Sequence, residues 1–154
     1  MSTTIEILSA QHQEVLSRLA AVEAEIHASG TPCFAPFATY LGADVVQHFA
    51  LEEQALFPLL ENHLPATHGP LAVMNAEHRE FRHLLEIFNA ALQAGALIAQ
   101  RAHAVAIIGL LRAHIAKEDA VLFPMAERLL SPEELGEVAR RTAMLASADA
   151  PARP

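Results

Sequence analysis

Part of this chain occurs twice, and that repetition constrains its fold more than any other feature. HFALEEQALFPLLE, starting at His48, and HIAKEDAVLFPMAE, starting at His114, share a His, an Ala, a Glu, a second acidic residue, Leu-Phe-Pro and a closing Glu in the same order. The spacing between them, 66 residues, also separates His12 in QHQE from His78 in EHRE. Two matches with a single spacing mean that one longer unit is duplicated, and a duplicated unit buries its apolar face most simply against its own copy.

Composition says what each unit forms. Ala is the commonest residue, and Thr, Val, Ile and Tyr are scattered rather than alternating, so helix propensity outweighs strand propensity and the chain is expected to be all-α. Gly30-Thr31-Pro32, the stretch 63–70, Gly95 and Ser131-Pro132 interrupt the helical pattern. The predicted helices span about 3 to 29, 36 to 62, 71 to 93, 97 to 130 and 132 to 147, the last opened by Ser131, Pro132 and Glu134 as a capping box. The first four would be about 35 to 50 Å long at 1.5 Å per residue. Two hairpins of that length, related by the repeat, predict an antiparallel up-down four-helix bundle with a short additional C-terminal helix. Residues 1–147 are expected to form a single domain and 148–154 a frayed tail.

The repeat also selects residues. Nine histidines are present, but only His12, His48, His78 and His114 have partners in register. His48 with Glu52, and His114 with Glu118, stand four residues apart, which places an imidazole and a carboxylate about 40° apart on one helical stripe. Apolar residues flank that stripe in both copies: Leu41, Val45, Phe49, Leu56 and Leu59 around the first pair, and Ile107, Leu110, Leu111, Ile115, Val121 and Leu122 around the second. Both pairs are therefore expected to face inward. Two carboxylates buried without compensation would cost several kcal/mol or take up protons, and divalent cations remove that penalty. Four His and two carboxylates, with no sulfur, suit two iron or manganese ions sharing both carboxylates, whereas a lone structural zinc wants four donors and fits less well. His27, His63, His68, His83 and His103 are expected at the surface or in loops, and the remaining acidic clusters on a solvated helix face. Pro58 and Pro124 should end or kink their helices, since neither has an N–H to give.

Other classes are excluded by charge and cysteine content. With a formal charge of −8 the chain has no basic footprint for nucleic acid or an anionic membrane. The single Cys33 forms no disulfide framework, the N-terminal residues resemble no secretory signal, and the longest clean apolar run, 104–111, is far below membrane-spanning length. A cytoplasmic setting is expected.

The pattern of His12, then His48 and Glu52 in HFALEE, then His78, then His114 and Glu118 in HIAKED, with Leu-Phe-Pro after each pair, resembles the hemerythrin-like (HHE cation-binding) family over about residues 5 to 130. The resemblance implies a non-haem di-iron centre in a four-helix bundle that binds dioxygen or a related small ligand. His12 and His48 would hold one iron, His78 and His114 the other, and Glu52 and Glu118 would bridge. Oxygen-carrying members place a further His one turn from that on the third helix, where this chain has Met74 and Arg82. They also place the last carboxylate five residues after its His, which would select Asp119. The internal repeat selects Glu118, opposite Glu52, and leaves Asp119 as the second choice; Tyr40, eight residues before His48, is expected to pack rather than to join the site. Open coordination on the irons leaves two further readings beside diatomic binding for transport, sensing or stress response: a redox enzyme removing hydrogen peroxide or nitric oxide, and an iron-responsive regulatory module.

Overall fold

A computed structural model describes residues 3–148, and they are all-helical. Helix α1 (Thr4–His27) opens on a reciprocal cap: the Glu6 amide donates to Thr3 Oγ1 at 3.1 Å and the Thr3 amide to Glu6 Oε2 at 2.7 Å. Its buried face is Ile5, Leu8, His12, Val15, Leu19, Val22 and Ile26, a stripe spaced by three and four residues that has a histidine in the middle of it. Helix α3 (Pro70–Gln93) repeats it in register with Leu71, Met74, His78, Phe81, Leu85 and Phe88. Gly95, at φ 64°, supplies the left-handed turn that ends α3 and joins it to the second helix of its hairpin.

The second helix of each hairpin changes pitch. Helix α2 covers residues 35–60 and α4 residues 97–129; within them the turns Glu52–Leu56 and Glu118–Leu122 are π-helical. There the Phe57 amide bonds back to the Glu52 carbonyl and the Phe123 amide to the Glu118 carbonyl, five residues away. Pro58 and Pro124 follow at once. Each proline removes a donor and crowds the carbonyl four residues before it, and the widened turn absorbs both effects without breaking the helix. The kink expected at these prolines is thus a matched pair of π-turns, each beginning at a glutamate of the repeat. A third π-turn, Leu41–Val45, has no counterpart in α4.

Helix α5 (Pro132–Ala148) starts on the expected box, with the Ser131 amide donating to Glu134 Oε2 and the Glu134 amide to Ser131 Oγ. Its Val138 is fully buried against one end of the bundle, with Leu135 and Leu145 beside it. The helix is described as far as Ala148, and the rest of the expected tail, 149–154, lies outside the described residues. Helix α5 packs on the Glu52–Leu56 turn and on α1, and the repeat is broken there: Ala55 is buried, whereas its counterpart Val121, expected to face inward, is 46% exposed. Leu110 is half-buried, and the other flanking apolar residues named above are buried. His27, His63, His68 and His83 are exposed and His103 is half-buried. Among the described residues no helix is long and apolar enough to cross a membrane.

The core has two parts. One contains Val15, Leu19, Phe34, Phe37, Phe81, Phe88, Ile107 and Leu111; the other contains Leu8, Leu56, Phe57, Leu71, Met74, Leu122, Phe123 and Val138. Along α1 the stripe passes from one part to the other at His12, and along α3 at His78, so a polar layer separates them. Phe88 is fully buried, edge-on to Phe34 and Phe37 with ring centroids 6.0 Å away in each case. Phe88→Ala is expected to destabilise the fold by about 3–5 kcal/mol in chemical unfolding, through lost burial and an unfilled cavity.

Candidate metal centre

The polar layer consists of His12, His48, Glu52, His78, His114 and Glu118, all at most 5% exposed. The structure brings together all six residues selected by the repeat. They form two overlapping groups, His12, His48, Glu52 and Glu118 in one and Glu52, His78, His114 and Glu118 in the other, with the donor atoms of each group within 4.8 Å of one another. His12 Nε2 is 3.1 Å from His48 Nε2, and His78 Nε2 is 3.3 Å from His114 Nε2. Glu52 lies between the groups, with Oε1 2.8 Å from His48 Nε2 and Oε2 3.1 Å from His78 Nε2. Glu118 spans them from the other side, with Oε2 3.4 Å from His12 Nε2 and Oε1 against His114 Nε2. Each carboxylate therefore turns one oxygen to each group.

The outer ring nitrogens explain why the inner ones point at each other. His12 Nδ1 donates to Asp119 Oδ1 at 2.8 Å, His48 Nδ1 to Gln11 Oε1 at 2.7 Å, His78 Nδ1 to Glu53 Oε1 at 2.8 Å and His114 Nδ1 to Glu77 Oε2 at 3.0 Å. A neutral imidazole has one N–H, and with that proton directed outward each Nε2 offers a lone pair to the centre. Four lone pairs then face four buried carboxylate oxygens that have no hydrogen-bond donor. Such a set repels itself until a cation, or added protons, fill it. Sulfur-free N and O donors in two shared groups fit a pair of transition-metal ions.

Without an ion the cluster holds protons instead. Burial, and then the charge of Glu118, push Glu52 well up, so its carboxyl keeps a proton. Burial acts the same way on Glu118, but contacts with His114, His12 and His78 outweigh it and hold that group well below the usual carboxylate range. Burial would lower His78, yet Glu118, Glu52 and Glu53 raise it to about 9, whereas burial dominates at His48 and lowers it to about 4.

Several residues outside the six complete the site. Asp119, the second choice for a bridging carboxylate, is instead the hydrogen-bond acceptor of His12 and also takes the Ser9 hydroxyl at 3.0 Å. Glu118 has the inward place. Glu53 and Asp119, expected on a solvated face with the other surface acids, each hold a buried histidine, as do Gln11 and Glu77. A signal for them was present in the repeat, since Gln11 pairs with Glu77 and Glu53 with Asp119 at the same spacing as the histidines. The Leu-Phe-Pro motif has a further role: Phe123 stacks on His12 with centroids 5.2 Å apart, and Phe57 on His78 at 5.5 Å. Tyr40 packs in the core under Arg18 and stays outside both donor groups. Met74 is buried in the core, and Arg82 pairs with Glu53.

The hemerythrin HHE cation-binding domain matches residues 3–126. This chain belongs to that family. Over 114 residues, 66% of its length, it is 33% identical to the iron-sulfur cluster repair protein YtfE of Edwardsiella ictaluri, and the match spans about half, 52%, of that relative. No solved structure matches. The family's cation-binding description agrees with the buried donor set.

Two outcomes follow from these protonation states. Metal affinity, measured by competition with a chelator, should rise with pH up to about 9, because below that value an incoming ion must displace the protons held by His78 and Glu52. At a free ion concentration of 100 times Kd, binding to the folded form should add about 2.7 kcal/mol, or roughly 5–10 °C in melting temperature for a domain of this size. Glu52→Gln should abolish that rise and leave the metal-free melting temperature within a few degrees, since the amide replaces a carboxyl that is already uncharged.

Proposed function

We propose that this hemerythrin-family chain holds two non-haem irons, one on His12 and His48 and the other on His78 and His114, with Glu52 and Glu118 shared, and that it binds dioxygen or a related diatomic such as nitric oxide. The observation that carries this reading is the donor set together with the space beside it. A cavity of about 10 Å³ lies against His12, His48 and His114, lined also by Val15, Val45, Phe49, Leu111 and Ile115. That is room for about one water molecule, and its remaining walls are apolar. Phe81, fully buried, takes the position equivalent to Val15 in the other half of the repeat, so the space lies on the His12/His48 side.

Bound iron would supply one-electron redox chemistry and coordination positions that the six protein donors leave open. The chain's own residues do the rest. Val15, Leu111 and Ile115 exclude bulk water, the outer hydrogen bonds hold the imidazoles in one tautomer, Phe49 and Phe57 pack against the ring of His78, and Phe123 stacks on that of His12. A surface pocket of about 200 Å³ shares Val15 and His48 with the cavity and is lined by Glu14 and Asp44. Acidic walls, in a chain of charge −8, disfavour anions and pass neutral molecules.

The relative's name, iron-sulfur cluster repair protein, favours a second reading in which the site accepts and releases iron under stress. Transfer of iron from the loaded protein to an apo iron-sulfur protein would separate it from simple ligand binding. Removal of hydrogen peroxide or nitric oxide is a third use of the same irons.

The first experiment is metal analysis with optical spectra of anaerobically reduced protein, repeated in air. About two irons per chain, with charge-transfer bands that appear in air and reverse when oxygen is withdrawn, are expected for dioxygen binding. A stable diferric spectrum would move the reading to redox or iron-handling chemistry, and stoichiometric zinc would overturn the iron assignment.

A further inference from the structure

The duplication is close enough for its departures to be weighed one at a time. Around the six donors the outer hydrogen bonds form two equivalent pairs. His12 on Asp119 matches His78 on Glu53, a carboxylate in both halves. His48 on Gln11 matches His114 on Glu77, and here the halves differ: an amide oxygen accepts at 2.7 Å in one and a carboxylate at 3.0 Å in the other. The two acceptors stand at the same position of the repeat, each immediately before a site histidine.

The difference acts on donor strength. A carboxylate accepting the Nδ1 proton raises the electron density at Nε2, making that imidazole the stronger ligand; a neutral amide polarises it less. Both histidines of the His78/His114 group are backed by carboxylates, and one of the two in the His12/His48 group is. An opposing influence comes from Arg82, 2.8 Å from Glu53, and from Lys117 against Glu77. Those side chains are 42% and 45% exposed, so solvent screens them, whereas Glu77 is 13% exposed and touches the ring directly. The direct hydrogen bond therefore governs.

We infer that the two metal positions are unequal, with Glu77 making His78/His114 the stronger one and Gln11 leaving His12/His48 the weaker, so that His78/His114 fills first. Gln11 and Glu77 are positioning residues, since each acts through a histidine. Both histidines of the weaker position line the cavity beside Val15, and of the stronger position only His114 does.

The inference rests on the reading of the six donors as a two-ion site, and Co²⁺ alone tests it without involving iron or any diatomic. Repulsion between two cations splits the binding steps even for identical positions, so the order of filling carries the test. In the wild type, substoichiometric Co²⁺ should shift and broaden the assigned ring proton signals of His78 and His114 before those of His12 and His48. Glu77→Gln should weaken the first step about tenfold. Gln11→Glu should strengthen the second, an effect that structural damage does not produce. The double exchange Q11E/E77Q should reverse the order, with circular dichroism of the metal-free forms confirming an intact fold. Filling that begins at His12/His48 in the wild type, an order unchanged by the exchange, or a Gln11→Glu variant that binds the second ion no more tightly would overturn the inference. Absence of any Co²⁺ binding would instead overturn the two-ion reading beneath it.

Discussion

Two carboxylates buried at the centre of an apolar bundle, with no donor for any of their four oxygens, are the constraint around which the rest of the structure is arranged. A chain that places Glu52 and Glu118 there must compensate their charge, and without an ion it does so with protons held on Glu52 and His78. The outer residues Gln11, Glu53, Glu77 and Asp119 hold the imidazoles so that lone pairs, rather than protons, face inward. A layer built in this way holds protons when empty and is receptive to cations that displace them. The two parts of the apolar core on either side keep the layer closed while it is in that state.

The π-turns belong to the same arrangement. Each starts at a buried glutamate and ends just before Phe-Pro, so one local device accommodates the proline and positions the phenylalanine that stacks on a histidine of the other hairpin. The two hairpins are therefore joined at their polar centre by reciprocal contacts, Phe57 with His78 and Phe123 with His12. Departures from the symmetry are few and local. Helix α5 covers Ala55 and leaves Val121 exposed, Val15 replaces the larger Phe81 beside the site, and Gln11 replaces Glu77.

Much of this was legible from residue spacing. The bundle and all six inward donors follow from a repeat whose register applies to His12, His48, Glu52 and their counterparts alike, and the helix limits to within a few residues and the capped C-terminal helix follow from the Gly and Pro breaks and from Ser131, Pro132 and Glu134. The hydrogen bonds of Glu53, Glu77 and Asp119 to histidines were not legible, although these residues also obey the register. An acid on the edge of an amphipathic helix looks the same in sequence whether it meets water or an imidazole on the next helix.

What the sequence by itself determined is the set of elements and the face each one buries, because helical periodicity is a local property and a duplicated pattern fixes equivalent faces in both hairpins. What only the tertiary structure decided is which side chains from different helices meet. That Glu118 rather than Asp119 turns inward depends on the rotation of the α4 turn against α1. That the free volume lies beside Val15, that His12 is held by Asp119 on a distant helix, and that His48 meets an amide where His114 meets a carboxylate are likewise products of packing. Distances between helices are set by the combined fit of every apolar contact in the core, and no short stretch of sequence contains that sum.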